Sequence, residues 1–218
     1  MSDRDKRRLK NSTLRAINIK QLTPNDQYDS VFHIFERLNT GGTSLKPQEI
    51  RNAVYRGKIV AELQELNSDE DWQSILGLKA PDRNQKDVEL ILRLFGLFED
   101  WNLYEKPMLH FLNRTMADNR EFNSQKAKRF ERRFGIVTEL VNNSLLRPFR
   151  PRGVINSAVL ESVMTILLED PSIDGKKLKA NYAKLVKDAE FMLSTTGGTT
   201  DTLVLRSRIN RASAILKQ

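Results

Sequence analysis

The stretch that most constrains the fold is residues 84–101, NQKDVELILRLFGLFEDW, where apolar residues cover most of the circumference of a helix. These apolar residues are Val88, Leu90, Ile91, Leu92, Leu94, Phe95, Leu97 and Phe98. Exposure of such an apolar surface to water is unfavourable. Other elements must therefore surround this helix, and we expect it to be the central, buried one. Asn84 is the candidate N-cap, and Asp87 lies early in the helix, as the helix dipole favours.

Helical periodicity also dominates the rest of the chain. In SVFHIFERL, for example, Val31, Ile34, Phe35 and Leu38 follow the i, i+3, i+4, i+7 spacing of one helix face. Further helices are predicted over residues 47–56, 59–67, 71–77, 107–116, 124–145, 155–168, 175–193 and 202–217. LRAINIKQL, residues 14–22, alternates weakly and is either one short strand or an extended lead-in. The sequence therefore predicts an all-α fold, a multi-helix bundle of about eight to ten helices.

A possible boundary between two parts of the chain lies at LRPFRPRGVIN, residues 146–156, where two prolines and a glycine interrupt the helical pattern. We therefore predict a basic lead-in over residues 1–25 and a helical subdomain over residues 26–146. A second helical subdomain, residues 147–218, is expected to pack on the first.

Composition excludes several classes of protein. Of the 218 residues, 39% are hydrophobic, which is typical of a globular protein, and no cysteine is present to form disulfides or thiolate metal sites. No apolar run approaches the roughly 20 residues that cross a bilayer, and the start lacks the apolar core of a signal peptide. We expect a cytoplasmic protein without a membrane partner. The net charge of +8 indicates either an acidic partner such as nucleic acid or simply solvated basic helix faces.

The segment FERLNTGGTSL, residues 35–45, separates two predicted helices and has two interpretations. Asn39 would end the first helix, and Gly41 or Gly42 can adopt positive φ, which makes an ordinary C-cap. Alternatively, the N–H groups around Gly41, Gly42 and Thr43 would form an anion-binding nest at the start of the next helix.

The same segment resembles a known family. VFHIFERLNTGGTSLKPQEIRNAVYRGK is similar to a signature block of the GmrSD-type restriction endonuclease N-terminal domain, in which the pattern Phe-x3-Asn-x2-Gly-x2-Leu recurs. Here the pattern is Phe35, Asn39, Gly42 and Leu45, followed by QEIRNAVYRG. The likeness continues through residues 87–116, INSAVLESVM and LVLRSRINRA. The resemblance implies a part in defence against foreign DNA.

In that family, a ParB-like half with an Asp-Gly-Gln-Gln-Arg motif precedes a helical half, and a nuclease domain often follows. This sequence lacks the motif, so the resemblance implies the helical half, without enzymatic activity alone and with a ParB-like chain or domain as its partner. It also implies a shared site for GTP or another nucleoside triphosphate with Mg²⁺. The residues expected to contribute to that site are Phe35, Asn39, Thr40, Gly41, Gly42, Thr43, Glu49 and Arg51. Glu49 is also interpreted as a simple partner of the helix dipole.

Two basic segments are candidates for contact with DNA. Residues 123–135, NSQKAKRFERRFG, place the basic residues Lys126, Arg129, Arg132 and Arg133 on a helix whose Phe130 and Phe134 would face the core. The loop RPFRPRG has Arg147, Arg150 and Arg152 around Phe149, which would suit nucleic acid if Phe149 were exposed. Solvated helix faces and a connecting loop are the alternative interpretations. A stand-alone DNA-binding or scaffold module without nucleotide binding is therefore the alternative function.

Overall fold

The computed structural model describes residues 2–13, 29–38 and 45–218. Within those residues the protein is all-α, with twelve α-helices, one short 3-10 helix at Trp101–Leu103 and no strand. The prediction of an all-α multi-helix fold is confirmed. The helices are α1 Asp3–Lys10, α2 Asp29–Leu38, α3 Pro47–Val54, α4 Lys58–Asn67, α5 Glu70–Leu76, α6 Lys86–Leu97, α7 Met108–Asp118, α8 Gln125–Ser144, α9 Ser157–Glu169, α10 Gly175–Leu185, α11 Ala189–Leu193 and α12 Thr202–Leu216. The suggested strand at residues 14–22 lies outside the described residues.

The helix count exceeds the expected eight to ten for two local reasons. The charged start of the chain forms α1, and the segment predicted as one helix over 175–193 is divided into α10 and α11. The division occurs because Asp188 acts as a new N-cap, accepting a hydrogen bond from the N–H of Phe191 at 2.8 Å.

Helix α6 is the central helix that its apolar sequence predicted, and it packs against α3, α4, α7 and α9. Gly96 permits the close approach of α7, because a Cβ atom there would lie 2.7 Å from the ring of Phe111. The expected N-cap, Asn84, is wrong by one residue. Gln85 occupies that position at φ 54°, since the N–H groups of Asn84 and Gln85 both turn back onto Asp82.

Helix α9 is buried even more completely than α6. Every residue from Ala158 to Leu168 is buried, which requires neighbours on all sides, and α6, α8 and α12 supply them. Glu161 lies in the middle of this segment, 2% exposed. A carboxylate in such a place must have ionic or hydrogen-bonding partners, because an unpaired buried charge is strongly destabilising.

One hydrophobic cluster contains buried side chains from Tyr55 to Leu216 and so draws on residues from both sides of position 146. The loop at 146–156 is tied into it, because Phe149 is fully buried and its N–H donates to the hydroxyl of Tyr182 at 2.8 Å. The division into segments 1–25, 26–146 and 147–218 stays a prediction.

Candidate functional site

Five of the residues expected at a nucleotide site, Asn39, Thr40, Gly41, Gly42 and Thr43, lie outside the described residues. The other three are Phe35, Glu49 and Arg51, and the structure places them in different surroundings. Their environments show which of them a ligand can reach.

Phe35 lies on α2 with 42% of its surface exposed, whereas Phe32 on the same helix is fully buried. Glu49 lies in the first turn of α3, where its Oε2 accepts a hydrogen bond from the N–H of Lys46 at 2.6 Å. Its position is therefore that of a carboxylate at the positive end of a helix, which is the simpler of the two interpretations of Glu49.

Arg51 is only 2% exposed and joins three helices. Its Nη1 donates to Oε2 of Glu89 on α6 at 2.9 Å, and its Nε donates to Oδ1 of Asn113 on α7 at 2.9 Å. Burial lowers the pKa of the Arg51 guanidinium, although the adjacent Glu89 acts to raise it. In this structure Arg51 holds α3 against α6 and α7.

Arg51 is one end of a row of alternating charges, buried at both ends and partly exposed in the middle, that we call the ionic ladder: Arg51, Glu89, Arg93, Glu161 and Arg208. Arg93 donates to Glu89 and to Glu161 at 3.0 Å each, and Nη2 of Arg208 lies 3.4 Å from Glu161. The ladder crosses α3, α6, α9 and α12 in turn. Its ion pairs therefore join the same helices that also pack through apolar side chains.

Burial and the ion pairs of the ladder shift the pKa values of Glu89, Arg93 and Arg208 in opposite directions. Burial alone would raise the pKa of Glu89, but Arg51 and Arg93 outweigh burial and hold it below its ordinary value. Burial acts to lower the pKa of Arg93, yet Glu161 and Glu89 together raise it. Arg208, which is fully buried, has its pKa lowered by burial in spite of Glu161. The row therefore joins three guanidinium groups to two carboxylates through consecutive ion pairs.

A cleft of about 530 Å³ opens beside the ladder, which we call the α3–α6–α9 cleft. The first residue of each of these three helices lines it: Pro47, Lys86 and Ser157. Helix N-termini carry a partial positive charge, so a cleft bordered by three of them is electrostatically suited to an anion. Its volume lies in the range of small-molecule sites.

The basic side chains of this cleft are Lys46, Lys86 and Arg93. Lys46 and Lys86 are exposed and occur where the helix dipole disfavours a cation, at the N-cap of α3 and at the first residue of α6. Neither forms an ion pair within the described part of the chain. Helix α6 also begins without a side-chain N-cap bond. An anion bound in the cleft would offset the unfavourable placement of Lys46 and of Lys86 at the positive ends of α3 and α6.

Three carboxylates also line the cleft, and all three already accept hydrogen bonds. Both oxygens of Glu89 accept from arginines of the ladder. Asp87 accepts from the N–H of Asp82 and from the Nδ2 of Asn67, each at 2.9 Å. Oδ1 of Asp82 accepts from the N–H of Asn84 at 2.8 Å. The apolar part of the wall consists of Leu76, Leu78, Leu90 and Ile155. The cleft therefore offers cations at its rim and a hydrophobic surface beside them.

Sequence reasoning did not select Lys46, Lys86, Arg93 or Ser157, because the fold brings them together from three distant segments. One signal was available for Lys86. A lysine at the first position of the most strongly predicted helix contradicts the dipole rule, and such local conflicts often mark functional positions.

Three of the basic residues of α8 that were candidates for DNA contact have partners inside the protein. Lys126 donates to the carbonyl of Gly96 at 3.1 Å and to Asp100 at 2.7 Å, and so caps the end of α6. Arg133 donates to the carbonyl of Leu168 at 2.6 Å, at the end of α9. Phe130 and Phe134 face the core as expected.

Arg129, the third, forms two hydrogen bonds with Glu99, at 2.7 and 2.6 Å, which lower the pKa of that carboxyl group. Arg132 is exposed. The role of these four residues in DNA binding stays a prediction, and only Arg132 is without a partner in the described structure.

The loop after α8 differs from the expected arrangement. Phe149 is fully buried and is not an exposed stacking surface, because it packs against the ring of Tyr182 at 6.1 Å between centroids. Arg150 is partly buried and donates to the carbonyl of Pro148 at 3.0 Å. Arg147 and Arg152 are exposed and have no ion pair within the described residues, and the aromatic ring predicted to lie exposed beside them, that of Phe149, is buried.

The chain matches no protein-family model, and comparison with curated proteins and with solved structures likewise gave no match. Among residues 2–13, 29–38 and 45–218, no helix is long and apolar enough to cross a membrane. The same residues contain no group of three or more histidine, aspartate or glutamate side chains that could hold a metal ion.

Proposed function

We propose that this protein is a nucleotide- or phosphate-binding helical module that contributes one wall of a site completed by a ParB-like chain or domain. The observation that supports it most directly is the α3–α6–α9 cleft, in which Lys46 and Lys86 stand at helix N-termini beside an apolar wall. The role in defence against foreign DNA follows from the resemblance of residues 31–58 to GmrSD-type proteins and is part of the same proposal.

Phosphate groups would lie at the rim of the cleft, where the dipoles of α3, α6 and α9 add to the charges of Lys46 and Lys86. Lysine is well suited to this task because its ammonium group is a compact charge on a flexible stem. Arg93, held by two glutamates, would contribute charge from the floor without leaving the ladder.

A nucleobase would lie against the apolar wall formed by Leu76, Leu78, Leu90 and Ile155. Such a wall has no groups arranged to distinguish one base from another, so we expect GTP and ATP to bind with similar affinity. Lys46 directly follows Leu45, the last residue of the glycine-rich segment FERLNTGGTSL, which places that segment next to the cleft in the chain. Asn39, Gly41, Gly42 and Thr43 would then provide further donors to the phosphates.

Isothermal titration with GTP and with ATP, each with and without Mg²⁺, tests the proposal. Lys86→Glu should weaken binding at least tenfold, because it reverses a charge at the rim. Lys58→Glu is the matched control, since Lys58 is also an exposed first residue of a helix, α4, but lies outside the cleft. Asn39→Ala tests the glycine-rich segment separately.

Equal affinities of the Lys86→Glu and Lys58→Glu proteins would place the ligand elsewhere. No binding of either nucleotide by the wild-type chain, at millimolar concentration, would contradict a phosphate site in this module alone. Addition of a ParB-like protein with an intact Asp-Gly-Gln-Gln-Arg motif should then be required for any binding, and its lack of effect would reject the partner as well.

The second candidate function is a DNA-binding or scaffold module without nucleotide binding. The exposure of Arg132, Arg147 and Arg152 favours it, because these are the predicted DNA contacts whose side chains form neither an ion pair nor a hydrogen bond within the described structure. Reversal of these three charges should then abolish DNA binding, whereas Lys86→Glu should leave it unchanged.

A further inference from the structure

Helix α1, Asp3–Lys10, differs from every other helix in combining full exposure with a dense positive charge. None of its residues is buried, and its eight residues DRDKRRLK contain five basic and two acidic side chains. Most helices of a folded protein are stabilised by packing an apolar face, and α1 has no such face. Its composition therefore needs another explanation.

The two acidic residues are occupied within the helix. Asp5 accepts from the hydroxyl of Ser2 at 2.7 Å and from its N–H at 3.2 Å, which forms a capping box. Asp3 pairs with Lys6 at 3.3 Å. Neither carboxylate is therefore paired with Arg4, Arg7 or Arg8.

Arg4, Arg7 and Arg8 follow the i, i+3, i+4 spacing and, with Asp3 and Asn11, line one concave face of α1. Within the described part of the chain, none of these three guanidinium groups forms an ion pair. The helix dipole favours Arg7 and Arg8 in the last turn, but it gives no advantage to Arg4, which lies in the first. Three arginines on one face, none of them paired with a carboxylate of the described residues, form a binding surface for an external anion.

We propose that α1 binds the phosphate backbone of nucleic acid through Arg4, Arg7 and Arg8. Arginine presents a planar fork of N–H donors that matches phosphate oxygens, and three forks on one face match a repeating row of phosphates. At about 1.5 Å per residue, α1 is about 12 Å long, which is comparable with the width of the DNA major groove. The surface is separate from the α3–α6–α9 cleft, so this inference does not depend on the proposed nucleotide site.

A membrane surface fits α1 less well than nucleic acid does. Interfacial helices need an apolar face that enters the lipid, and Leu9 is the only apolar side chain of α1. The helix is also too short to be very stable by itself, since isolated helices below about 12 residues are marginal in water. Contacts with a polyanion would neutralise the repulsion among its five basic residues and so favour the helical state.

Fluorescence anisotropy of a labelled 20-base-pair DNA duplex tests the proposal with the full chain. The variant Arg4→Glu/Arg7→Glu/Arg8→Glu should bind at least tenfold more weakly than wild type at low salt. Three phosphate contacts contribute about 2.7 to the slope of log K against log salt, so the variant should lose about that much of the slope. The triple Arg→Lys variant keeps the charge and should stay within a few-fold of wild type.

Two matched sets of charge reversals serve as comparisons. Lys176→Glu/Lys179→Glu/Lys187→Glu makes the same change in net charge at exposed positions on and after α10, and it should retain affinity within about threefold. Arg132→Glu/Arg147→Glu/Arg152→Glu tests the competing basic surface. The proposal is overturned if wild type fails to bind DNA and RNA duplexes, or if either comparison set loses as much affinity as the α1 variant. Tighter binding to phosphatidylserine vesicles than to DNA, lost in the α1 variant, would also overturn it.

Discussion

Two sets of three arginines in this protein have opposite environments. Arg51, Arg93 and Arg208 belong to the ionic ladder between the helices, and each lies within 3.4 Å of a glutamate. Arg4, Arg7 and Arg8 lie on the exposed helix α1 without an ion pair in the described structure. The comparison shows that a net charge of +8 does not identify a binding surface, because that charge includes arginines that are already paired with glutamates of the ladder.

The difference follows from the cost of burying charge. A guanidinium group inside the protein must have acceptors, and Arg208 has them in Glu161, the hydroxyl of Ser162 and the carbonyl of Thr199. An exposed guanidinium group is solvated by water and requires no partner. Buried arginines therefore report on how the helices are held together, whereas exposed ones are available for an external ligand. Substitutions in the two sets should consequently affect different properties.

The largest expected loss of stability comes from Glu161→Gln, which removes the charge that both Arg93 and Arg208 require. Breaking a buried ion pair leaves an uncompensated charge and destabilises proteins by about 3–5 kcal/mol, so we expect a loss in that range from urea unfolding. Glu139→Gln, at an exposed position on α8, is the control and should be close to wild type. A loss below about 1 kcal/mol would show that the ladder is not a required part of the core.

A smaller effect is expected for Glu89→Gln, because Glu89 is partly solvated, with 22% of its side chain exposed. Hydrogen bonds to charged groups contribute about 1.5–3 kcal/mol, so we expect a loss of about 2 kcal/mol near pH 7. The pKa of Glu89 is lower in the folded protein than its ordinary value of 4.5. Its contribution is therefore present above pH 4.5 and is lost as the pH falls through the folded pKa.

Urea unfolding as a function of pH checks this prediction. The difference in the free energy of unfolding between wild type and Glu89→Gln should be constant near neutral pH and should shrink below about pH 4.5. A difference that stayed constant down to pH 3 would mean that Glu89 does not titrate with the folded-state pKa that its two arginines impose.

On helix α8, two adjacent arginines differ in the same way: Arg133 has partners inside the protein, whereas Arg132 is exposed. Arg133→Ala removes the donor to the carbonyls of Leu168 and Glu169, and we expect it to lower stability by about 1 kcal/mol. Arg132→Ala changes an exposed side chain and should have no measurable effect on the unfolding midpoint. Equal effects of the two substitutions would mean that the cap on α9 does not contribute to stability.

Much of the fold follows from local patterns in the sequence. Apolar periodicity identified α6 and α9 as helices, and Gly77 ends α5 in the left-handed conformation that a C-cap glycine adopts. The division between α10 and α11 was missed because periodicity continues across it, although Asp188 is a recognisable N-cap residue. The burial of Phe149 was missed because its neighbours in the sequence, two prolines and three arginines, are typical of a surface loop.

The candidate sites were less predictable, because they depend on contacts between distant segments. The spacing of Lys126, Arg129 and Arg133 correctly indicated one helix face, but nothing local to α8 indicates that the ends of α6 and α9 lie opposite it. The α3–α6–α9 cleft likewise combines positions 46, 86 and 157. The charge pattern of α1 was visible in the sequence, and the structure adds that its arginines remain exposed.

The smallest effect on stability is expected from Arg4→Gln/Arg7→Gln/Arg8→Gln in α1. No residue of this helix is buried, so the urea midpoint and slope should coincide with those of wild type, measured under the same conditions as Glu161→Gln. Because the slope reflects the surface exposed on unfolding, a change in it would show that α1 packs on the remainder of the protein through these side chains. Unchanged stability together with weakened DNA binding would separate the two sets of arginines completely: one set would act in folding and the other in recognition.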